Sequence, residues 1–393
     1  MLFKVYGYEN TWKFWQVPTL MPPFADLRLI PGGAETFRRG LDPTIRNPGD
    51  PYGRIFNYPK IWYLFFYTGI DQGDVIWLGI VMFALFYIGL VSFPGKLDWL
   101  EAVLMLLVTF SPAAMLLYER GNVDLLIFFV CAMAVLSLDY SSSGAALIIF
   151  IGALLKIFPL FGLSIFFDKD KKKFWRFVFG VIAAFGIYFG LTFSNIRASW
   201  NLTMRGKSIS YGVNVIFDRY HEFFSMVLKK YLPTFAANNL LAVLPYLLGA
   251  VVLVTMIWVG LKSPLSSGSE DARNLAAFRM GSFIFLGTFL LGNNWDYRLA
   301  FLLFTIPQLG HWARTGKGRQ RLWIFVAIGL LILSCWHFIL AHWLSLMLLD
   351  LEIITIVDEI INWGLFAVMV YLSVASMPDW ARESLRNPVQ SFR

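Results

Sequence analysis

Apolar residues recur along this chain in long, unbroken runs rather than in amphipathic stripes. The runs cover about 75–93, 99–118, 122–138, 177–193, 240–260, 276–292, 299–312, 322–343 and 360–377. A helix needs about 20 mostly apolar residues to cross the hydrocarbon core of a bilayer. A helix that is apolar all round is buried in a protein core or in lipid. The pattern predicts an all-α, polytopic membrane protein with roughly 9–11 transmembrane helices. The run at 299–312 is short, which predicts a tilted, broken or partly re-entrant element. Residues 61–70 are shorter still and predict an interfacial or re-entrant segment.

The stretch 144–167 is interrupted by Lys156 and Pro159. Proline removes a helical hydrogen bond and breaks or kinks the helix. Irregular backbone at membrane depth is tolerated only where protein buries it or where it lines a water-filled cavity. The expectation is a re-entrant hairpin of two half-helices. Orientation follows from the basic loops 168–176 and 313–321, the second holding Arg314, Lys317, Arg319 and Arg321. Both belong in the cytoplasm by the positive-inside rule.

Counting spans then divides the chain. Residues 1–74 form an external loop with interfacial helices, and 75–193 hold transmembrane helices and the hairpin. Residues 194–239 form an external substrate loop, 240–377 the C-terminal transmembrane helices, and 378–393 a cytoplasmic tail. An external 1–60 implies a further span upstream of Met1.

Composition agrees. The 393 residues are 58% hydrophobic and 15% charged, where a soluble domain carries about 25% charged residues. The net charge of +8 would favour nucleic acid in a soluble protein. Here the bases sit in short loops, so the bilayer and not nucleic acid is the expected partner. Cys131 and Cys335 fall inside apolar runs and read as packing residues. The four histidines have no metal-ligand spacing, so neither a tightly bound metal nor another cofactor is expected.

The polar interruptions are the candidate chemistry. Asp26, after a Pro-rich turn, suits a general base taking a proton from a hydroxyl acceptor, or else the cap of a helix starting near Leu27. Asn57 and Tyr58 offer an amide and an aromatic face of the kind that binds sugars. Arg120, Asn122 and Asp124 stand between two spans, as a connecting loop or as an inward-facing site. Lys156 is about ten residues from either end of its apolar stretch. Its alternatives are snorkelling to the interface or a phosphate or carboxylate partner. Arg205 and Arg219 lie in a basic external segment that suits a lipid phosphate or a surface helix on anionic lipid. Asn293, Asp296 and Arg298 form a dense polar cluster, and either make a plain loop or meet that basic segment to form one site.

These pieces, in this order, resemble a known family. The residues are Asp26, Gly40-Leu41-Asp42-Pro43, Asp50-Pro51-Tyr52, Phe56-Asn57-Tyr58-Pro59, Gly121-Asn122-Val123-Asp124 and Leu155-Lys156-Ile157-Phe158-Pro159. The chain resembles the GT-C superfamily glycosyltransferases, close to the polyprenol-phosphate-mannose-dependent alpha-1,2-mannosyltransferases. The resemblance implies a GT-C-like bundle and an inverting transferase. It would move a mannose-like hexose from a polyprenyl-phosphate sugar donor to a lipid or glycan acceptor hydroxyl on the external face of the cell membrane. Asp26 matches the general base, and Lys156, Arg205 and Arg219 are implied donor-phosphate ligands. The substrate-binding candidates are Asn57, Tyr58, Asn122, Asp124, Asn293, Asp296 and Arg298. The alternative is a transporter or flippase of lipid-linked sugars. It shares the basic surface and Lys156 but has no use for a base at Asp26, and the halves of the chain show no clear internal repeat of the kind many transporters carry.

Overall fold

The structure is a computed structural model that describes residues 2–202, 206, 209–265, 271–347 and 350–387. The short helices α1 (Leu2–Tyr6), α2 (Tyr8–Lys13) and α3 (Leu29–Arg38) precede a 3-10 helix, Lys60–Tyr67. Then follow α4 (Val75–Ser92), α5 (Trp99–Thr109), α6 (Pro112–Arg120), α7 (Asp124–Ser137), α8 (Ser142–Leu155), the 3-10 helix Phe158–Asp168, α9 (Lys171–Leu191) and α10 (Phe193–Leu202). Beyond strand β1 (Ser210–Tyr211) come α11 (Val215–Arg219), α12 (His221–Lys229), α13 (Thr234–Lys262) and α14 (Ala272–Leu290). Strand β2 (Asn294–Trp295) leads into the 3-10 helix Asp296–Thr305, α15 (Ile306–Thr315), α16 (Gly318–Cys335), α17 (His337–Leu346), α18 (Leu351–Ala375) and α19 (Asp379–Arg386).

The all-α membrane architecture expected from the apolar runs is present. Among the described residues, five helices are long and apolar enough to cross a bilayer: Gln72–Ser92, Lys171–Leu191, Thr234–Lys262, Gly318–Cys335 and Glu352–Ala375. A sixth crossing results if α5 and α6, bent by 50°, count as one span. The expected total of roughly 9–11 also included shorter stretches. One of these, α7, has 14 residues, and such a helix is about 21 Å long against a hydrocarbon core of about 30 Å. The bend between α5 and α6 has a local cause. Ser111 Oγ accepts from the Ala114 amide at 3.3 Å, and Pro112 occupies the first helical turn. Proline at that position starts a helix well and cannot continue the preceding one.

The core gathers around α14, whose residues from Asn274 to Phe289 are almost all buried. It packs against the 3-10 helices Phe158–Asp168 and Asp296–Thr305 and against α18. The stretch 144–167 breaks at Lys156, whose backbone is extended (φ −151°, ψ 143°). The two halves lie against each other there, since a Cβ on Gly152 would sit 3.2 Å from Pro159 Cβ. The indole of Trp62 donates to the Leu155 carbonyl at 3.0 Å, satisfying one of the carbonyls that a helix end leaves open.

Strands β1 and β2 pair antiparallel, Ser210 opposite Trp295 and Tyr211 opposite Asn294. This pairing joins the segment after α10 to the polar cluster after α14. Gly212 makes it possible: its φ is +136°, and a Cβ there would lie 1.6 Å from the Gly292 carbonyl oxygen. Gly212→Ala is therefore expected to cost about 2–6 kcal/mol through strain and backbone displacement. Thermal unfolding of the detergent-purified protein checks this, and an unchanged Tm would refute it.

Candidate active site

Asp26 is placed by two interlocking turns. Helix α6 ends at Gly121, whose left-handed backbone (φ +55°) caps it, and the next residue is Asn122. From the other side comes Phe24, itself at φ +60°. Its ring and Cβ fill the space left by two glycines: a Cβ on Gly79 or Gly121 would lie 2.8 Å from Phe24. The Asp26 amide then donates to the Arg120 carbonyl at 3.0 Å. Asp26 does not cap the helix that follows. That helix begins at Leu29 without a side-chain cap, and the Asp26 carboxylate turns instead toward Asn122 and Arg54.

Asn122 is the hub. Its Nδ2 donates to Asp26 Oδ2 at 2.6 Å. Its Oδ1 accepts from the Asp124 amide at 3.0 Å and from Lys156 Nζ at 3.1 Å. Asp124 opens α7, where the helix dipole favours a negative charge. Its two oxygens divide between cations, one taking Lys156 Nζ and the other Arg298 Nε at 3.3 Å. Arg298 also donates to Asn294 Oδ1. Its guanidinium lies 5.3 Å from the Phe158 ring centroid, and Lys156 Nζ lies 5.9 Å from that of Tyr58. At these distances an aromatic face attracts a cation. Lys156 thus has a carboxylate partner, one of the two kinds its sequence context allowed.

A second clamp holds Asp26 from the other side. Arg54 grips Asp50 through Nε at 3.0 Å and Nη2 at 2.9 Å. Its backbone amide also donates to Asp50, at 2.9 Å. The same guanidinium reaches the Ala25 carbonyl and, at 3.4 Å, Asp26 Oδ1. Burial opposes the charge on Arg54, but Asp50, with Asp26 adding to it, outweighs that cost and holds its pKa above the ordinary value. Burial first, and then the Asp26 charge, pushes the Tyr58 hydroxyl well above the usual tyrosine range, so it stays neutral.

Exposure separates the carboxylates. Asp26 keeps 23% of its side chain accessible, whereas Asp50 and Asp124 keep none. Only Asp26 of the three is open to meet a substrate. Lys156 and Arg298 keep 13% and 19% and retain N–H groups beyond those given to Asp124, Asn122 and Asn294. The arrangement is one accessible carboxylate beside two cations held in place by a carboxylate that is not accessible.

The other sequence candidates lie elsewhere. Asn57 is half-buried and makes no side-chain hydrogen bond among the described residues. Asn293 donates to the Gly206 carbonyl at 2.6 Å and lies 3.4 Å from Asp218. Asp296 turns away from Arg298 to a spot 3.2 Å from His337 Nε2. The charge of Arg219 faces Asp358 and Glu359 on α18. Arg205 lies outside the described residues.

Sequence reasoning passed over Arg54, Tyr297 and His337. The four-residue spacing of Asp50 and Arg54 was a usable signal, although it sits in a turn and not in a helix. Tyr297, whose hydroxyl faces Asn122, had no signal beyond its two polar neighbours. Among the described residues no group of three or more His, Cys, Asp or Glu side chains is placed to hold a metal ion.

Comparison with curated proteins and with solved structures finds no match. A family model does match, over residues 58–292, which includes Tyr58, Asn122, Asp124 and Lys156. Asp26 and Arg54 precede the matched stretch and Arg298 follows it; the fold brings Asp26 to Asn122 and Arg298 to Asp124 within it, and Arg54 to Asp26. With more than half of the chain covered by that match, this membrane protein belongs to glycosyltransferase family 87.

Proposed function

We propose that the chain is an inverting glycosyltransferase that uses a polyprenyl-phosphate hexose, mannose-like, with Asp26 as general base on the external face. The observation that carries this reading is the pairing of one accessible carboxylate with two oriented cations. A glycosyl phosphate already has a good leaving group, so a general acid is not needed. What the reaction requires is a base at the acceptor and positive charge at the departing phosphate.

The acceptor hydroxyl sits on Asp26 and gives its proton to the carboxylate as its oxygen bonds to the sugar C1. The C1–O bond to the phosphate breaks on the opposite face, and its electron pair leaves with the phosphate oxygen. The configuration at C1 inverts. Lys156 and Arg298 receive the growing negative charge with their remaining N–H groups. Asp124 fixes where they stand, so little reorganisation accompanies the transfer. Asn122 touches both halves and sets the distance between base and cations. Tyr58 and Tyr297 offer neutral hydroxyls and aromatic faces to the sugar.

Arg54 and Asp50 act through Asp26 as positioning residues. Lysine has no planar fork and cannot reproduce the two-bond grip on Asp50. Arg54→Lys is expected to lower kcat about 10–100-fold with a smaller change in KM. Steady-state transfer from radiolabelled polyprenyl-phosphate mannose to membrane-extract acceptors measures it. A change in KM alone would remove Arg54 from the role of holding the base. In the same assay, no turnover by the wild type with any polyprenyl-phosphate sugar would refute the donor assignment.

A further inference from the structure

Arg298 reaches Asp124 from the first turn of the 3-10 helix Asp296–Thr305. That helix has no side-chain cap at its start. With three residues per turn, Asp296, Tyr297 and Arg298 point in three directions. Tyr297 faces Asn122 and Arg298 faces Asp124, whereas Asp296 points away from the site. The Asp296 amide donates to the Ile209 carbonyl at 3.2 Å, which fixes the backbone from one side. What holds the Asp296 side chain then sets the angle at which Arg298 enters.

Asp296 is 1% exposed, and its carboxylate lies 3.2 Å from His337 Nε2. Among the described residues neither Asp296 oxygen has another donor. A buried carboxylate with one partner depends on that partner. The imidazole is itself held. Its Nδ1 donates to the Ser334 carbonyl at 2.9 Å, and the Ser334 hydroxyl donates to Asn362 Oδ1 on α18 at 2.6 Å. One residue earlier, the Trp336 indole donates to the Leu107 carbonyl on α5 at 3.0 Å.

These contacts fix the proton count. A carbonyl oxygen only accepts, so Nδ1 carries a proton. Without a second proton, the Nε2 lone pair would face a carboxylate oxygen and the contact would repel. The pair therefore holds one proton more than a neutral imidazole and a carboxylate supply. Asp358 and Glu359 on α18 face the same ring and add negative charge beside it.

We infer that His337 is a positioning residue for the transfer: through Asp296 it fixes the 3-10 helix that presents Arg298 to the departing phosphate. The inference rests on the transferase reading above and adds to it a residue outside the network around Asn122.

The test compares His337→Phe with His337→Gln in the full chain in phosphatidylcholine nanodiscs. Phenylalanine fills similar space and has no proton to give. Glutamine places an amide N–H near the position of Nε2 and donates it without needing a charge. His337→Phe is expected to lower kcat about 10–100-fold, and His337→Gln to recover most of that loss. In an Arg298→Gln background, His337→Phe is expected to lower kcat by less than about threefold further, because residues acting through one group are not additive. Hydrogen exchange supplies a readout independent of turnover. The peptide 294–300 is expected to exchange faster than wild type in His337→Phe and at the wild-type rate in His337→Gln. Equal losses of kcat in the two variants, or a full second loss in the Arg298→Gln background, would overturn the assignment. So would unchanged exchange at 294–300 in His337→Phe. If the phenylalanine variant does not fold, His337→Asn replaces it with the same expected results, since its shorter amide falls short of Asp296. No turnover by the wild type with any polyprenyl-phosphate sugar would sink the transferase reading, and the exchange measurement would still decide whether His337 holds the segment.

Discussion

Asp26→Asn is expected to lower kcat for sugar transfer about 10²–10⁴-fold, the contribution typical of a positioned general base. The substitution is close to isosteric. It keeps an oxygen to accept from Asn122 Nδ2, which donates to Asp26 Oδ2 at 2.6 Å in the native protein. The ion pair it removes is the contact with Arg54, which is 3.4 Å long and accessible on both sides. Such a pair contributes no more than about 1 kcal/mol. Arg54 also keeps Asp50 as its principal partner. Tm is therefore expected to change little while turnover collapses, and that separation is the signature of a base. Asp26→Glu is expected to fall between the two, because a base is present but displaced. Steady-state turnover of a radiolabelled polyprenyl-phosphate sugar, together with thermal unfolding of the same preparations, checks both halves. A variant with wild-type turnover would exclude Asp26 as the base.

The second large effect is on stability. Asp124→Asn removes the carboxylate that faces both Lys156 and Arg298. Two mostly buried cations are then left side by side, each without its ionic partner. Removing one member of a buried charged pair costs about 3–5 kcal/mol, and losing a carboxylate in the first turn of α7 adds about 0.3–1 kcal/mol. Adding Lys156→Met to Asp124→Asn removes one stranded charge. The double variant is expected to melt above the Asp124→Asn single variant and yet to be no more active. This non-additive pattern is what residues sharing one network produce. A single variant that melts with the wild type would show that Asp124 does not carry the cations. A double variant no more stable than the single would show that Lys156 is not the charge it balances.

Both predictions depend on a distinction that the sequence leaves open and the fold makes. Asp26 and Asp124 are alike as residue types, and each stands beside a turn. Asp26 ends up accessible because Phe24 and Arg54 hold its loop at the rim. Asp124 ends up covered because the break after α8 and the 3-10 helix Asp296–Thr305 bring Lys156 and Arg298 onto it.

Much of this protein is legible in its residues alone. Runs of apolar side chains announce membrane helices because backbone polar groups in lipid must be satisfied within the segment. Lys156 and Pro159 announce a break for the same reason, and the chain breaks there. Asp26, Asn122, Asp124, Lys156 and Arg298 stand out because polar residues beside apolar runs are costly to keep. What the residues cannot announce is who meets whom. The partners of the hub are separated by 96 positions for Asp26 and Asn122 and by 174 for Asp124 and Arg298. Helical periodicity reaches only a few residues along the chain, so such pairings are set by packing alone. The same holds for Asp296, which left its neighbour Arg298 for His337. It holds as well for Arg54, which is fixed beside Asp26 by its ion pair with the buried Asp50. Local chemistry determined which side chains had to be reconciled with a membrane, and tertiary packing decided which carboxylate became the accessible one.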